Sequence, residues 1–280
     1  MSISLPVELD AIAEELDYER GRLIYEGAGG NEVRRSILPG GVRVITEKMP
    51  GTRGVSIGFW VGVGSRDEAP GMLGSTHFLE HLLFKGTGTR TALDIASSFD
   101  AVGGESNALT AKEHTCYYAR VLDDDAPMAV DVITDMVTNA LLDPAHLEQE
   151  RGVILEEIAM DQDDPTDVAF ENFVEQLMGA NPLGRPIGGT PEEIQAVPRD
   201  AVWEHYKRYY TPDRLVISAA GSLEHSTMVR LVLESLTRYG WDLREGVAPA
   251  PRRVRTDSGI VPLSELREVQ KGFEQTNIVM

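Results

Sequence analysis

His77-Phe78-Leu79-Glu80-His81 is the stretch on which the reading of this chain turns. On a helix, His77 and His81 stand one turn apart and leave nearly the same face, the spacing at which two imidazoles share one metal ion. Glu80 precedes the second histidine on the adjoining flank. The order H-x-x-E-H inverts the commoner zinc-hydrolase motif. The chemistry requires these residue types: two neutral imidazoles hold Zn²⁺, and a carboxylate that does not bind the metal takes the proton from a water. Phe78, Leu79, Leu82 and Leu83 make the remaining sides of the helix apolar, so it should be largely buried. Burying two imidazoles and a carboxylate without partners is costly, so something polar or cationic should meet them. Pro70-Gly71 and Gly86-Thr87-Gly88 punctuate the helix on either side.

Such an ion needs a third protein ligand. A second helix is predicted from about Asp143 to Asp163, with Asp143 as N-cap, Pro144 at the first turn and Asp164-Pro165 closing it. One stripe reads Leu147, Glu150, Ile154, Glu157, with Val153 and Ile158 beside it. Glu150 and Glu157 interrupt this apolar stripe, whereas Glu148 and Glu156 lie off it and read as solvated charges. Carboxylates on a core-facing stripe are paired, protonated or bound to metal.

Three ordered blocks carry a family resemblance. They run from Gly62-Val63-Gly64-Ser65-Arg66-Asp67-Glu68 through the pentapeptide to Phe84-Lys85-Gly86-Thr87, then Gly103 to Thr110, then Glu148 to Ile158. Together the chain, over roughly residues 30 to 280, resembles the pitrilysin/insulinase metallopeptidases, most closely their mitochondrial-processing-peptidase-like branch. The resemblance implies that His77, His81 and Glu157 are zinc ligands and Glu80 the catalytic base. It matches Glu150 to a second glutamate that supports catalysis without binding the metal. It also makes Gly104-Glu105-Ser106-Asn107-Ala108 part of an edge strand to which an extended peptide substrate adds by backbone hydrogen bonds. The implied fold is the metallohydrolase roll of this family.

Composition sets outer bounds. The formal charge of −19 argues against nucleic acid and anionic membrane as partners. Cys116 is the single cysteine, so no internal disulfide forms, and its strand-like setting reads as a small buried hydrophobe. No apolar run approaches membrane-spanning length, and the acid-rich first twenty residues resemble neither a secretory signal nor a transit peptide, leaving the cytoplasm as the default location.

Residues 1–28 read as a peripheral acidic helix ending in glycines. A hairpin about Gly40-Gly41 follows, then a strand with Val55, Ile57, Phe59 and Val61 alternating. After the metal-motif helix come a helix near 93–102, two strands near 105–110 and 114–121, and helices near 126–139, 143–163, 166–178 and 199–209. A strand from Leu215 to Ala220 leads into a last helix. The expected class is α+β, with helices packed on one mixed, largely antiparallel sheet. The expected division is an N-terminal extension over 1–30, a zinc-binding peptidase domain over 31–248, and a linker with the first strand of a second half over 249–280. Relatives in the resembling branch have a second, similar half. On this reading the partners are peptide, that half or a homologous subunit, or a second copy covering the exposed apolar surface.

The leading expectation is a zinc endopeptidase acting on unfolded peptides or extended precursor segments. The alternative is a non-catalytic subunit that binds peptide or scaffolds an active partner, and the presence of His77, Glu80, His81 and Glu157 together weighs against it. A small-molecule zinc lyase with a cysteine as third ligand fits less well than the core-facing Glu157.

Overall fold

The computed structural model describes residues 17–251, 267–270, 272 and 276–279. The strands are β1 (Arg22–Glu26), β2 (Glu32–Ile37), β3 (Arg43–Lys48), β4 (Gly54–Val61), β5 (Glu105–Thr110), β6 (Thr115–Leu122) and β7 (Leu215–Gly221). They form one sheet in the order β1-β2-β3-β7-β4-β6-β5. Within it β3 and β7 pair in parallel and every other pairing is antiparallel. The helices are α1 (Ser75–Leu82), α2 (Ala92–Asp100), α3 (Ala126–Asn139), α4 (Pro144–Asp163), α5 (Pro165–Met178), α6 (Pro191–Ala196), α7 (Arg199–Tyr209) and α8 (His225–Arg238).

Period-two alternation decides which sheet face is covered. In β4, Val55, Ile57, Phe59 and Val61 are buried, as are Tyr117, Ala119 and Val121 of β6 and Leu215, Ile217 and Ala219 of β7. These side chains meet α1, α3 and α8 in one continuous core, while Ser56, Trp60, Tyr118, Arg120 and Ser218 lie on the other face with partial or full exposure. The mixed α+β architecture read from the sequence is the one observed. No helix among the described residues is long and apolar enough to cross a membrane.

The described part of the N-terminal stretch departs from expectation. Residues 22–26, read as the end of an acidic helix, are instead strand β1, paired with β2 from Arg22↔Arg35 to Glu26↔Glu32. Gly21 makes the turn that leads into β1. Its φ of +65° is left-handed, and a Cβ there would lie 2.3 Å from His225 Nε2. The first sixteen residues lie outside the described part of the chain. The short α6 was also not anticipated, although Thr190 and Glu193 form a reciprocal capping box at its start. Residues 276–279, expected within a strand, form none.

Candidate metal centre

The metal-motif helix is positioned by its first turn. Gly74 precedes α1 with φ +86°, and a Cβ there would collide with Ile194 Cδ1 at 2.3 Å, so only glycine fits. Glycine offers no capping side chain, and buried Glu68 supplies the missing acceptor. Its Oε2 receives Gly74 N–H at 2.9 Å and its Oε1 receives Thr76 N–H at 2.7 Å. Burial raises the Glu68 pKa, and these N–H groups oppose that rise. Thr76 Oγ1 lies 3.0 Å from His205 Nε2, tying α1 to α7. Arg185 holds the preceding turn by donating to the carbonyls of Ser65, Arg66 and Glu68 at 3.0–3.2 Å.

Helix α4 is fixed against α1 independently. Asp143 Oδ1 accepts from Ala145 N–H at 2.7 Å, capping its start. Arg151, buried on α4, donates to the carbonyls of Ile194 and Val197, and its guanidinium lies over the Phe78 ring at 5.4 Å. Thus α6, missed in the sequence, is part of what sets the packing of α4 against α1.

That packing brings His77, His81 and Glu157 together, with one ligand atom from each lying within 4.8 Å of the others. His77 Nε2 and His81 Nε2 are 3.2 Å apart. Glu157 Oε2 is 3.6 Å from the first and 3.4 Å from the second. A tetrahedral zinc with bonds near 2.0–2.1 Å requires donor–donor edges of about 3.3 Å, so this triangle has the dimensions to hold such an ion. Two imidazoles and one carboxylate are also a donor set that suits Zn²⁺ and leaves a fourth corner open. Burial, with the charge of His81 second, lowers the His77 pKa to about 4, so this imidazole is neutral at neutral pH and its lone pair free for a cation.

The two carboxylates on the α4 stripe separate into different roles. Glu157 faces both Nε2 atoms, with its side chain 43% exposed. Glu150 is buried, and its Oε2 lies 3.1 Å from His81 Nδ1 while its Oε1 pairs with Lys85 Nζ at 2.7 Å. It therefore touches the far nitrogen of His81 rather than the convergence of the three donor atoms. Glu148, off the stripe, is exposed and paired with Arg151.

Glu80 lies on α1, one residue before His81, and is partly exposed. Below it, the buried hydroxyls of Tyr117 and Tyr210 are hydrogen-bonded at 2.8 Å. Both tyrosine pKa values are raised, by burial first, with the negative charge of Glu80 contributing to each. Neither tyrosine was singled out from sequence, and Lys85 appeared there only as part of the Phe84-Lys85-Gly86-Thr87 block, with no role given to it. Lys85 falls four residues after His81, a spacing that could have flagged it.

The expected substrate segment is the outermost strand of the sheet. Glu105 to Thr110 pairs with β6 on one side and leaves its other backbone edge unpaired among the described strands. It packs against α1, and a groove of about 620 Å³ runs beside it, lined by Phe84, Ile95, Phe99, Gly104 to Asn107 and Tyr118. Ala108 is buried beneath the strand, whereas Glu105 and Asn107 are exposed.

The fold and this triangle describe an α+β domain with a candidate zinc site, and sequence comparison makes that specific. Residues 43–191 match the insulinase family, peptidase family M16, and residues 196–280 match the peptidase M16 inactive domain. The chain belongs to the insulinase (M16) family. It is 50% identical over 263 residues to an uncharacterized zinc protease of Streptomyces coelicolor, covering 93% of this chain and 57% of that protein. It is 35% identical over 211 residues to an Arabidopsis thaliana protein named "Probable mitochondrial-processing peptidase subunit beta, mitochondrial", covering 75% and 40%. Among solved structures, pitrilysin superposes with a TM-score of 0.71 at 22% identity, covering 86% of this chain and 25% of that one. A protease from Helicobacter pylori gives 0.72 at 21%, covering 79% and 53%. The chain spans about half the length of the curated relatives it matches.

Proposed function

We propose that this chain carries the metal site of a zinc endopeptidase whose substrates are unfolded peptides or extended precursor segments. The observation that carries the proposal is the donor triangle of His77, His81 and Glu157; Glu80, one residue before His81 on α1, is the carboxylate we assign as base. A zinc ion held there supplies Lewis acidity to a scissile carbonyl and to a water. Glu80 takes the proton of that attacking water and returns it to the leaving amine. His81 is held with Nδ1 toward Glu150, which turns Nε2 toward the triangle. The free edge of β5 offers backbone donors and acceptors to an extended chain, and the adjoining groove takes a side chain from it. Closure of the site by a second homologous half, from a longer chain or a partner subunit, fits the family's greater length.

The test is zinc content and peptide cleavage for the wild type and Glu80→Gln, each alone and supplemented with the second half of a full-length relative. We expect the variant to hold zinc and to lose cleavage. Undiminished turnover in Glu80→Gln would remove Glu80 as the base, and a wild type that takes up no zinc would end the reading altogether.

A further inference from the structure

Resting on the zinc reading above, we infer that Lys85 is a positioning residue for the metal site, acting on His81 through Glu150. The geometry is a continuous relay. Lys85 Nζ lies 2.7 Å from Glu150 Oε1, and Glu150 Oε2 lies 3.1 Å from His81 Nδ1. His81 Nε2 then faces His77 Nε2 at 3.2 Å and Glu157 Oε2 at 3.4 Å. The members become less exposed toward the middle: the side chain of Lys85 is 32% exposed, that of His81 15% and that of Glu150 only 3%.

Each contact has a physical consequence. A carboxylate as buried as Glu150 is costly unless both oxygens are engaged, and Lys85 engages the oxygen that His81 does not reach. The Lys85 contact to Oε1 is an ion pair at 2.7 Å without hydrogen-bond alignment, so the lysine acts on the buried carboxylate through its charge, while Oε2 accepts the Nδ1 proton of His81. That hydrogen bond selects the tautomer whose Nε2 lone pair points into the triangle and sets the orientation of the ring. The other histidine lacks this support: His77 Nδ1 is buried without a hydrogen-bond partner among the described residues. Orientation of the imidazole pair therefore rests on the His81 arm, and Lys85 is its outer anchor.

The local sequence places the lysine for this. Lys85 ends the single turn of 3-10 helix, Leu83–Lys85, that follows α1 directly, so its stem leaves the same helical run as His81 and reaches across to α4. Leu83 is buried in the core, which fixes the turn while leaving the ammonium partly solvated.

The test is a double-mutant cycle on zinc affinity, measured by competition with a metal chelator on the whole chain at neutral pH. Lys85→Met is expected to weaken zinc binding by about tenfold, the lower end of the effect of removing a group that orients a ligand, and Lys85→Arg to restore most of it. In the Glu150→Gln background, Lys85→Met should weaken binding no further, because the lysine acts only through that carboxylate. The melting temperature of the zinc-free protein separates loss of folding from loss of orientation: the affinity change should appear without a matching drop in stability. Zinc affinity in Lys85→Met equal to that of the wild type, or an equal loss with and without Glu150, would overturn the inference while leaving the zinc site intact. A wild type that binds no zinc overturns both.

Discussion

His225 and His77 are both buried histidines whose pKa is pushed down to about 4, by burial in each case, yet they are completed in opposite ways. His225 Nε2 lies 2.8 Å from Ser36 Oγ and its Nδ1 lies 2.7 Å from Thr46 Oγ1, so neutral hydroxyls of the chain satisfy both ring nitrogens. His77 points Nε2 at another imidazole nitrogen and at a carboxylate, and its Nδ1 has no hydrogen-bond partner among the described residues. The first site is closed by the protein; the second converges on a point that a cation would complete. Depth of burial and a lowered pKa do not distinguish a structural histidine from a ligand. What surrounds the nitrogens does.

The sharpest way to break this comparison is catalytic. Glu80→Gln should lower peptide cleavage by roughly a thousandfold while zinc stays bound, as expected for loss of a general base. Zinc loss in that variant would mean that Glu80 belongs to the metal rather than to the water. Next in size, His77→Ala should weaken zinc by on the order of a thousandfold, read by chelator competition, whereas His225→Ala should leave zinc affinity unchanged. Equal zinc loss in the two variants would erase the distinction between the sites. His225→Ala should instead cost about 1–3 kcal/mol of stability in denaturant unfolding, because Ser36 and Thr46 lose their partner in a buried position.

A smaller effect concerns acid. The folded-state pKa values of His77, His205 and His225 are each lowered to about 4 from an ordinary value near 6.5. The unfolded chain therefore binds protons between those limits that the folded chain does not, and stability falls as pH drops through that window. Above about pH 6.5 the contribution is fully present. Melting temperature of the zinc-free protein measured against pH should show this slope, and His225→Ala should flatten it by one proton's share. A flat profile between pH 4 and 6.5 would show that these histidines are not buried neutral.

Much of this was legible in the sequence because the site sits on regular elements. The spacing of His77 and His81 gives one helix face directly, and Glu150 does break the buried stripe of Leu147, Ile154 and Ile158 on α4. Glu157, read as core-facing, instead sits at the edge of that stripe with its side chain 43% exposed, and Val153 is exposed as well. The alternation in β4 likewise declared its buried face. What escaped is long-range. Glu68 caps α1 from outside the helix, Arg151 reaches carbonyls more than forty residues away, and Lys85 meets Glu150 across two helices. No periodicity encodes such contacts. Strand β1 was missed for a local reason: acidic residues on both sides masked a five-residue strand whose limits depend on the left-handed Gly21.

The most direct test of the central claim compares zinc retention in Glu157→Gln, Glu150→Gln and the wild type under the same chelator challenge. Glu157 faces both Nε2 atoms, whereas Glu150 reaches only the far nitrogen of His81. We therefore predict a single tightly held zinc in the wild type, a tenfold to hundredfold weaker site in Glu150→Gln, and a substantially greater loss in Glu157→Gln. Equal retention by the two variants would contradict the account by removing Glu157 from the metal.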